Sequence, residues 1–440
     1  MNRNRTLFVC VVLLVTLARA QQFARPGVVD APRVTAVLPQ IEALYLDLHE
    51  HPELSFQEHA TSAKLADRMK ALGYEVTTGI GQTGVVAVMR NGQGPTVMFR
   101  TDMDALPVEE KTGVAYASHA RSKDPAGKDV PVMHACGHDI HMSAWVGTAT
   151  VMAQSKERWH GTLVMIAQPA EEIIKGARAM LNDGLYARFP KPDYVLGMHD
   201  APAPVGDVFY TSGPAMAGSD SVDITIFGKG GHGALPHTTV DPVLIAAKTI
   251  LSLQTIISRE KDPRAPAVIT VGKIEGGTKN NIIPDEVHLG VTVRSFTPNL
   301  RKQMIASIER ITRAEAEAAG APRPPVFNYP ETTTPQVNDP KLTQRIVTAL
   351  RETLGEQHVI EQAPLMVSED FAAYAEAGVP TFMFHLGALD RAKLSQMEAE
   401  GKTVPSLHSS TFAPDYRSTL PVAVTAETAA LMELLGTARR

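Results

Sequence analysis

Apolar side chains at Val37, Leu38, Ile41, Leu44, Tyr45 and Leu48 recur at helical spacing between Val34 and His51, where His51-Pro52 ends the run. A second helix is predicted from about Gln57 to Leu72 and is stopped by Gly73. Val85–Met89 and Thr96–Arg100 read as short strands on either side of the turn Asn91-Gly92-Gln93-Gly94. Met142–Ala153 follows as a helix, with Thr162–Ala167 and Tyr194–Met198 as strands. The run Ala201-Pro202-Ala203-Pro204 reads as a hinge, and the pattern changes beyond it. A strand from Val222 to Gly228 leads to a helix near Val240–Arg259 and strands at Ala267–Ile274 and Glu286–Phe296. A helix over about Leu300–Ala319 then runs into the Pro-rich linker Ala321–Pro325. That order fits a compact α+β unit of about a hundred residues inserted into the surrounding chain. Pro340–Leu354, Asp370–Ala377 and Val422–Leu435 are predicted helices and Thr381–Leu386 a strand, with Ser368-Glu369-Asp370 as a helix cap. The resulting division is 1–20 leader, 21–205 first part, 206–325 inserted unit and 326–440 second part.

Composition changes the picture at two points. A net charge of -5 gives no reason to expect nucleic acid or an anionic membrane as a partner. The N-terminus has Arg3 and Arg5 before an apolar run Leu7–Leu17, then Ala18-Arg19-Ala20. These are the parts of a secretory signal peptide, with a run too short for a spanning helix. Export to the periplasm or beyond, with cleavage after Ala20, is the expectation, leaving no stable membrane anchor. Of the two cysteines, Cys10 and Cys136, cleavage removes the first. A lone thiol in an oxidising compartment forms no internal disulfide and is a liability unless buried or bound to metal.

The surroundings of Cys136 favour metal. His134, Cys136, His138, Asp139 and His141 fall within eight residues, and thiolate, imidazole and carboxylate are the ligands of zinc and its neighbours. Cys136 and His138 are two apart, which does not put them on one helix face, so both are expected in the loop before the helix, with Gly137 giving the tight backbone path. Elsewhere, strands run into candidate ligands. Thr96–Arg100 leads to Asp102 and Asp104, Thr162–Ala167 to Glu171 and Glu172, and Tyr194–Met198 to His199. Ligands collect at such strand ends in α/β sheets. Adjacent glutamates point different ways, so one can bind metal while the other serves as general base. Read singly, the glutamate pair is an acidic first helix turn, and its position at a strand end in a chain with a Cys/His cluster reverses that reading. For Asp102 and Asp104 the bland alternative is an acidic turn closed by Pro107. The Gly-rich loop around His232 is neither a P-loop nor a dinucleotide fingerprint. Asn281, Arg294 and His408, taken alone, read as turn or surface residues.

Together these segments resemble the M20 metallopeptidase family, in the amidohydrolase branch of hippurate hydrolases, N-acyl-amino-acid amidohydrolases and auxin-conjugate hydrolases. The matching runs are Arg100–Pro107, His134–His141, Gln168–Glu172, Gly197–His199, Gly230–Pro236, Gly276–Pro284, Ser368–Phe371 and Leu407-His408, in the family's order. The resemblance implies an α/β fold: a catalytic domain with a central mixed sheet flanked by helices, plus an inserted lid and dimerisation domain. It also implies two divalent ions (zinc, manganese, cobalt or nickel) on Cys136, His138, Glu172, His199 and His408, with Glu171 as general base and Asp104 beside the site. Asp102 stands where other branches carry a histidine ligand, and is not assigned to metal. His134, His141 and Asp139 become supporting residues. His232 is implied to reach toward the substrate, and Asn281 and Arg294 to lie near its carboxylate. The implied chemistry is hydrolysis of an N-acyl amino acid by a homodimer or higher homo-oligomer. A dipeptidase or carboxypeptidase on the same scaffold is the competing reading, and an exported metal- or peptide-binding protein without catalysis is the remaining one.

Overall fold

The computed structural model describes residues 29–436, so the leader reading lies outside the described residues. Strands β1 (Glu75–Ile80), β2 (Gly84–Asn91), β3 (Thr96–Asp102), β4 (Gly161–Gln168), β5 (Tyr194–Pro204) and β6 (Val208–Tyr210) come before the insertion. Strands β7 (Gly218–Phe227), β8 (Ala267–Glu275), β9 (Glu286–Ser295) and β10 (Val326–Thr333) form it, and β11 (Val359–Glu361) and β12 (Thr381–Leu389) follow. The main sheet has eight strands in the order β1-β2-β4-β3-β5-β12-β6-β11. Its centre, β4-β3-β5-β12, is parallel, and the flanking pairs β1/β2, β2/β4 and β12/β6 are antiparallel. The expected α/β class with a central mixed sheet is what the chain adopts.

Helices cover the sheet on both faces. Helix α1 (Ala31–Glu50) and the C-terminal helix Tyr416–Leu435 pack against each other and against α2 (His138–Gln154), whose residues 138–152 are buried throughout. Leu44 and Leu48 of α1 are fully buried in that core, each adding about 1.5–3 kcal/mol of transfer free energy. Helix starts follow the sequence closely. Asp30 accepts from Arg33 N, Thr297 from Leu300 N and Asp339 from Leu342 N, each with a proline in the first turn. Among the described residues no helix is long and apolar enough to cross a membrane.

The inserted unit has a four-stranded antiparallel sheet, order β8-β9-β7-β10, and a separate apolar core under helices Pro242–Thr255 and Pro298–Ala318. Its strands run from Gly218 to Thr333, whereas β6 at residues 208–210 pairs within the main sheet. The sheet therefore starts and ends later than a 206–325 division.

Three local readings change. Ala201–Pro204 is no hinge: it continues β5, paired with β12 as far as Pro204 opposite Leu389. His138 opens α2 instead of preceding it, and Gly137 is the N-cap at φ 72°. None of Ser368-Glu369-Asp370 is the N-cap of the short helix Ala372–Glu376, whose cap is Phe371, although Glu369 Oε1 accepts from Phe371 N at 3.1 Å.

Candidate metal centre

Because β3, β4 and β5 are parallel, their C-terminal ends share one edge of the sheet. That edge receives Asp102 and Asp104, the Glu171–Glu172 turn, and His199-Asp200. His199 lies within β5 itself, not at its end. Cys136 and His138 come from the start of α2, and His408 from a loop whose backbone N donates to Ala135 O at 2.8 Å. The His408 backbone takes φ 64°, a left-handed conformation.

The five side chains expected to hold metal converge. Cys136 Sγ is 3.5 Å from His199 Nε2 and 3.2 Å from His408 Nε2. His408 Nε2 is 3.4 Å from Glu172 Oε2, and His138 Nε2 is 3.9 Å from Glu172 Oε1. The ligand atoms of Cys136, Glu172 and His408 lie within 4.8 Å of one another, as do those of His138, Glu171 and Glu172.

Whether a cation fits can be judged from the ring nitrogens. His138 Nδ1 is 2.7 Å from Asp104 O, and His199 Nδ1 is 2.7 Å from Asp200 O. A carbonyl oxygen only accepts, so each Nδ1 carries a proton there, and Nε2 is left to present a lone pair to a cation that displaces any proton it carries. His138 Nε2 and Glu172 Oε1 are buried with no hydrogen-bond partner among the described residues. Unpartnered buried polar atoms facing one another are costly without a cation between them.

The electrostatics agree. Burial, then Glu172 and Glu171, push the Cys136 thiol well above its usual range. Burial likewise raises Glu172 to about 8, against His138. Burial, with Glu369 and Glu172 next, raises Glu171 well above a normal carboxyl. Burial disfavours the His138 imidazolium, but Asp102 and then Asp104 outweigh it and bring His138 up to about 10. On its own the cluster balances an excess of acids with protons, and a divalent cation would displace them.

Supporting residues account for the rest. Asp104 Oδ1 accepts from Glu171 N at 3.0 Å, while Oδ2 accepts from Glu172 N at 3.0 Å and Ser55 Oγ at 2.6 Å. One carboxylate thus fixes the backbone of both glutamates, which sit in a turn ahead of helix Gly176–Asn182, not in its first turn. Asp102 is fully engaged, with Oδ2 2.5 Å from Arg100 Nη1 and Oδ1 2.6 Å from His141 Nδ1. A carboxylate oxygen of Asp102 nevertheless lies within 4.8 Å of ring nitrogens of His138, His141 and His199, a second grouping that could hold a cation. His141 Nε2 is 3.2 Å from Asp200 Oδ1. Asp139 turns away to His49 Nδ1 at 2.6 Å, and His134 is buried with neither ring nitrogen partnered.

The residues expected near the substrate are not gathered at this edge. His232 and Asn281 sit together and exposed on the inserted unit, where Gly233 N donates to Asn281 O at 2.8 Å. Neither bonds to the metal cluster. Arg294 is half-buried and donates to Ser368 Oγ, joining β9 to the segment before Glu369. Sequence reasoning missed Arg100 and Asp200 as parts of the site. A lone charge in the apolar run Thr-Val-Met-Phe-Arg was the available signal for Arg100, because a charge in a buried strand must be paired.

Comparison with known proteins follows the same lines. The model of peptidase family M20/M25/M40 matches residues 98–407. The hippurate hydrolase of Campylobacter jejuni is 36% identical over 348 residues, covering 78% of this chain and 87% of that one. Thermostable carboxypeptidase 2 of Saccharolobus solfataricus is 36% identical over 376 residues, covering 84% of this chain and 88% of the other. Among solved structures, a Bacillus subtilis protein described as a dinuclear metal binding peptidase from the M20 family superposes with a TM-score of 0.71 at 29% identity. That match covers 92% of this chain and 99% of that one.

Proposed function

The chain belongs to peptidase family M20/M25/M40, in its amidohydrolase branch, and from that membership we propose that it hydrolyses the amide bond of N-acyl or N-aroyl amino acids in a metal-dependent reaction. The observation that carries this reading is the buried, unpartnered pair His138 Nε2 and Glu172 Oε1 beside Cys136, His199 and His408. Those five residues would hold two divalent ions, and a mixed thiolate, imidazole and carboxylate set accepts zinc, manganese, cobalt or nickel. When bound, such ions lower the pKa of a water and polarise an amide carbonyl.

The chain's own part is proton transfer and orientation. Glu171, next to a ligand but not itself one, takes the water's proton on its carboxylate and returns it to the leaving nitrogen. Asp104 keeps Glu171 and Glu172 on fixed backbone, so base and ligand hold one separation. His232 donates to the developing oxyanion, and Asn281 and Arg294 receive the substrate carboxylate. This requires the inserted unit, of the same subunit or of a partner in a homodimer, to close over the site. Arg294 spends one donor on Ser368 and keeps the others. A homodimer is supported by Val243, Leu244 and Leu251, exposed on helix Pro242–Thr255 while its other face is buried. Export with cleavage after Ala20 belongs to the same reading, and N-terminal sequencing of the mature protein tests it.

Glu171→Gln should keep full metal content, by elemental analysis, and lose about two orders of magnitude or more in kcat on hippurate. Wild-type activity in that variant rejects Glu171 as the base. The carboxypeptidase reading has its own support in the similarity to the Saccharolobus enzyme. Hippurate, N-acetyl amino acids and dipeptides assayed in parallel on metal-loaded protein separate the two.

A further inference from the structure

Arg100 has no task in the chemistry above, yet it is among the most heavily engaged side chains in the molecule. Its guanidinium is fully buried. Nε donates to Gln168 Oε1 at 3.0 Å and Nη1 to Asp102 Oδ2 at 2.5 Å. Nη2 is shared between Glu369 Oε1 at 2.8 Å and Asp370 Oδ1 at 3.3 Å. Each acceptor is tied further. Gln168 Nε2 donates to Asp370 Oδ1 at 2.7 Å, Tyr374 Oη donates to Gln168 Oε1 at 2.9 Å, and Ala177 N donates to Asp370 Oδ2 at 2.9 Å.

The same group of acids encloses the proposed base. Carboxylate oxygens of Glu171, Glu369 and Asp370 lie within 4.8 Å of one another, and Arg100 is the cation placed among them. The Glu171 side chain has no hydrogen bond of its own among the described residues; only its backbone is held, its N by Asp104 Oδ1 and its O by Ile174 N. Its position therefore depends on the balance between two neighbouring carboxylates that repel it and the guanidinium that restrains them. A planar fork with five donors can serve four acceptors on three segments at once, whereas an ammonium, with three donors at one point, cannot.

We propose that Arg100 is a positioning residue for the hydrolysis: by fixing Glu369 and Asp370 it sets where the Glu171 carboxyl stands, without touching substrate or a metal ligand. The proposal rests on Glu171 being the base. It distinguishes Arg100 from a simple core cross-link, because the consequence of losing the fork falls on turnover of folded, metal-loaded enzyme and not only on stability.

The test is Arg100→Lys in the full chain, with metal content, melting temperature, KM and kcat on hippurate measured together well below the melting point. Expected is a tenfold to hundredfold fall in kcat at full metal content, with KM within about threefold. Adding Glu369→Gln to that variant removes one of the carboxylates left unrestrained and should recover at least part of the lost kcat. A kcat within twofold of the parent overturns the proposal, and so does a double variant that regains melting temperature but no kcat. If Arg100→Lys does not fold, Glu369→Gln alone decides: kcat should fall tenfold with metal content and KM retained, and an unchanged kcat overturns the idea. Glu171→Gln is run alongside. Full activity there defeats the base assignment itself, whereas an inactive Glu171→Gln beside a normal Arg100→Lys defeats only the role of Arg100.

Discussion

Gly137→Ala tests how closely the metal-binding loop is fitted to the strand beneath it. Gly137 lies between Cys136 and His138 at φ 72°, where an L-residue costs about 1–2 kcal/mol. A Cβ at this position would stand 2.1 Å from Asp200 Oδ2, 2.5 Å from Cγ and 2.7 Å from Oδ1. Asp200 cannot simply swing aside. It is fully buried in β5, and its Oδ1 lies 3.2 Å from His141 Nε2. Breaking a buried pair of that kind costs about 3–5 kcal/mol. The sum, about 4–7 kcal/mol, is a large part of a typical stability of about 5–15 kcal/mol. Relief by moving the loop instead would pull Cys136 and His138 off His199 and Glu172. The expected result is a lowered melting temperature and loss of most metal after dialysis, read by thermal denaturation and elemental analysis. Gly137→Asn separates the two causes, since asparagine tolerates the left-handed conformation but still carries a Cβ. The collision predicts that it fares no better than alanine. Adding Asp200→Ala to Gly137→Ala should recover stability by more than about 1 kcal/mol relative to additivity. A Gly137→Ala protein that retains its metal and melts within about 1 °C of the parent refutes the reasoning.

Two further outcomes follow from the same structure. Cys136→Ala should lose metal on dialysis while remaining folded, because Cys136 Sγ lies close to both His199 and His408; full metal content would remove it from the ligand set. Glu427, buried against α2 with Thr148 Oγ1 donating to it at 2.6 Å, is raised by burial from 4.5 to about 8. The folded state keeps this proton longer than the unfolded chain does. Stability from it is therefore complete below about pH 4.5 and is lost as pH rises through about 8, by at most about 5 kcal/mol at 1.36 kcal/mol per pH unit. Glu427→Gln, which resembles the protonated acid, should change the melting temperature little at pH 5 and raise it at pH 9, and an equal effect at both would contradict the assignment.

The parts of this fold that were legible in the sequence are those whose cause is local. Asp339-Pro340 announces a helix because the cap and the preset φ lie in two adjacent residues, and the helix starts there. The strand-then-acid pattern at Asp102 and Glu171 was visible because parallel strands deposit their C-terminal ends on one edge whatever lies between them, whereas His199 reaches that edge from within β5. Two edge strands were not visible, although a third, Ala267–Glu275, was. Glu75–Ile80 is mostly exposed and Val326–Thr333 contains Pro330, so neither shows the apolar alternation of a buried strand, and a proline is tolerated at an edge. Ala201–Pro204 failed for the opposite reason. Prolines read as a break, but the backbone continues in register with β12.

Buried charge marks the deeper limit. Glu369 and Asp370 were read as a helix cap, which is what acids before a short helix usually are. Glu369 Oε1 does accept from Phe371 N at 3.1 Å, but both carboxylates also turn to Arg100, some 270 residues away in sequence. The choice was decided by energy at long range. An unpaired guanidinium inside β3 would cost several kcal/mol, far more than the roughly 1 kcal/mol of a cap, so the acids went to the arginine. The same comparison applies to each charged side chain that a sequence places in a buried strand: its type reveals that a partner exists, and only the fold says which. In this chain the partners found that way lie beside Glu171. A lone arginine in an apolar strand is therefore a pointer to the edge that carries the candidate metal centre as well as a problem of stability.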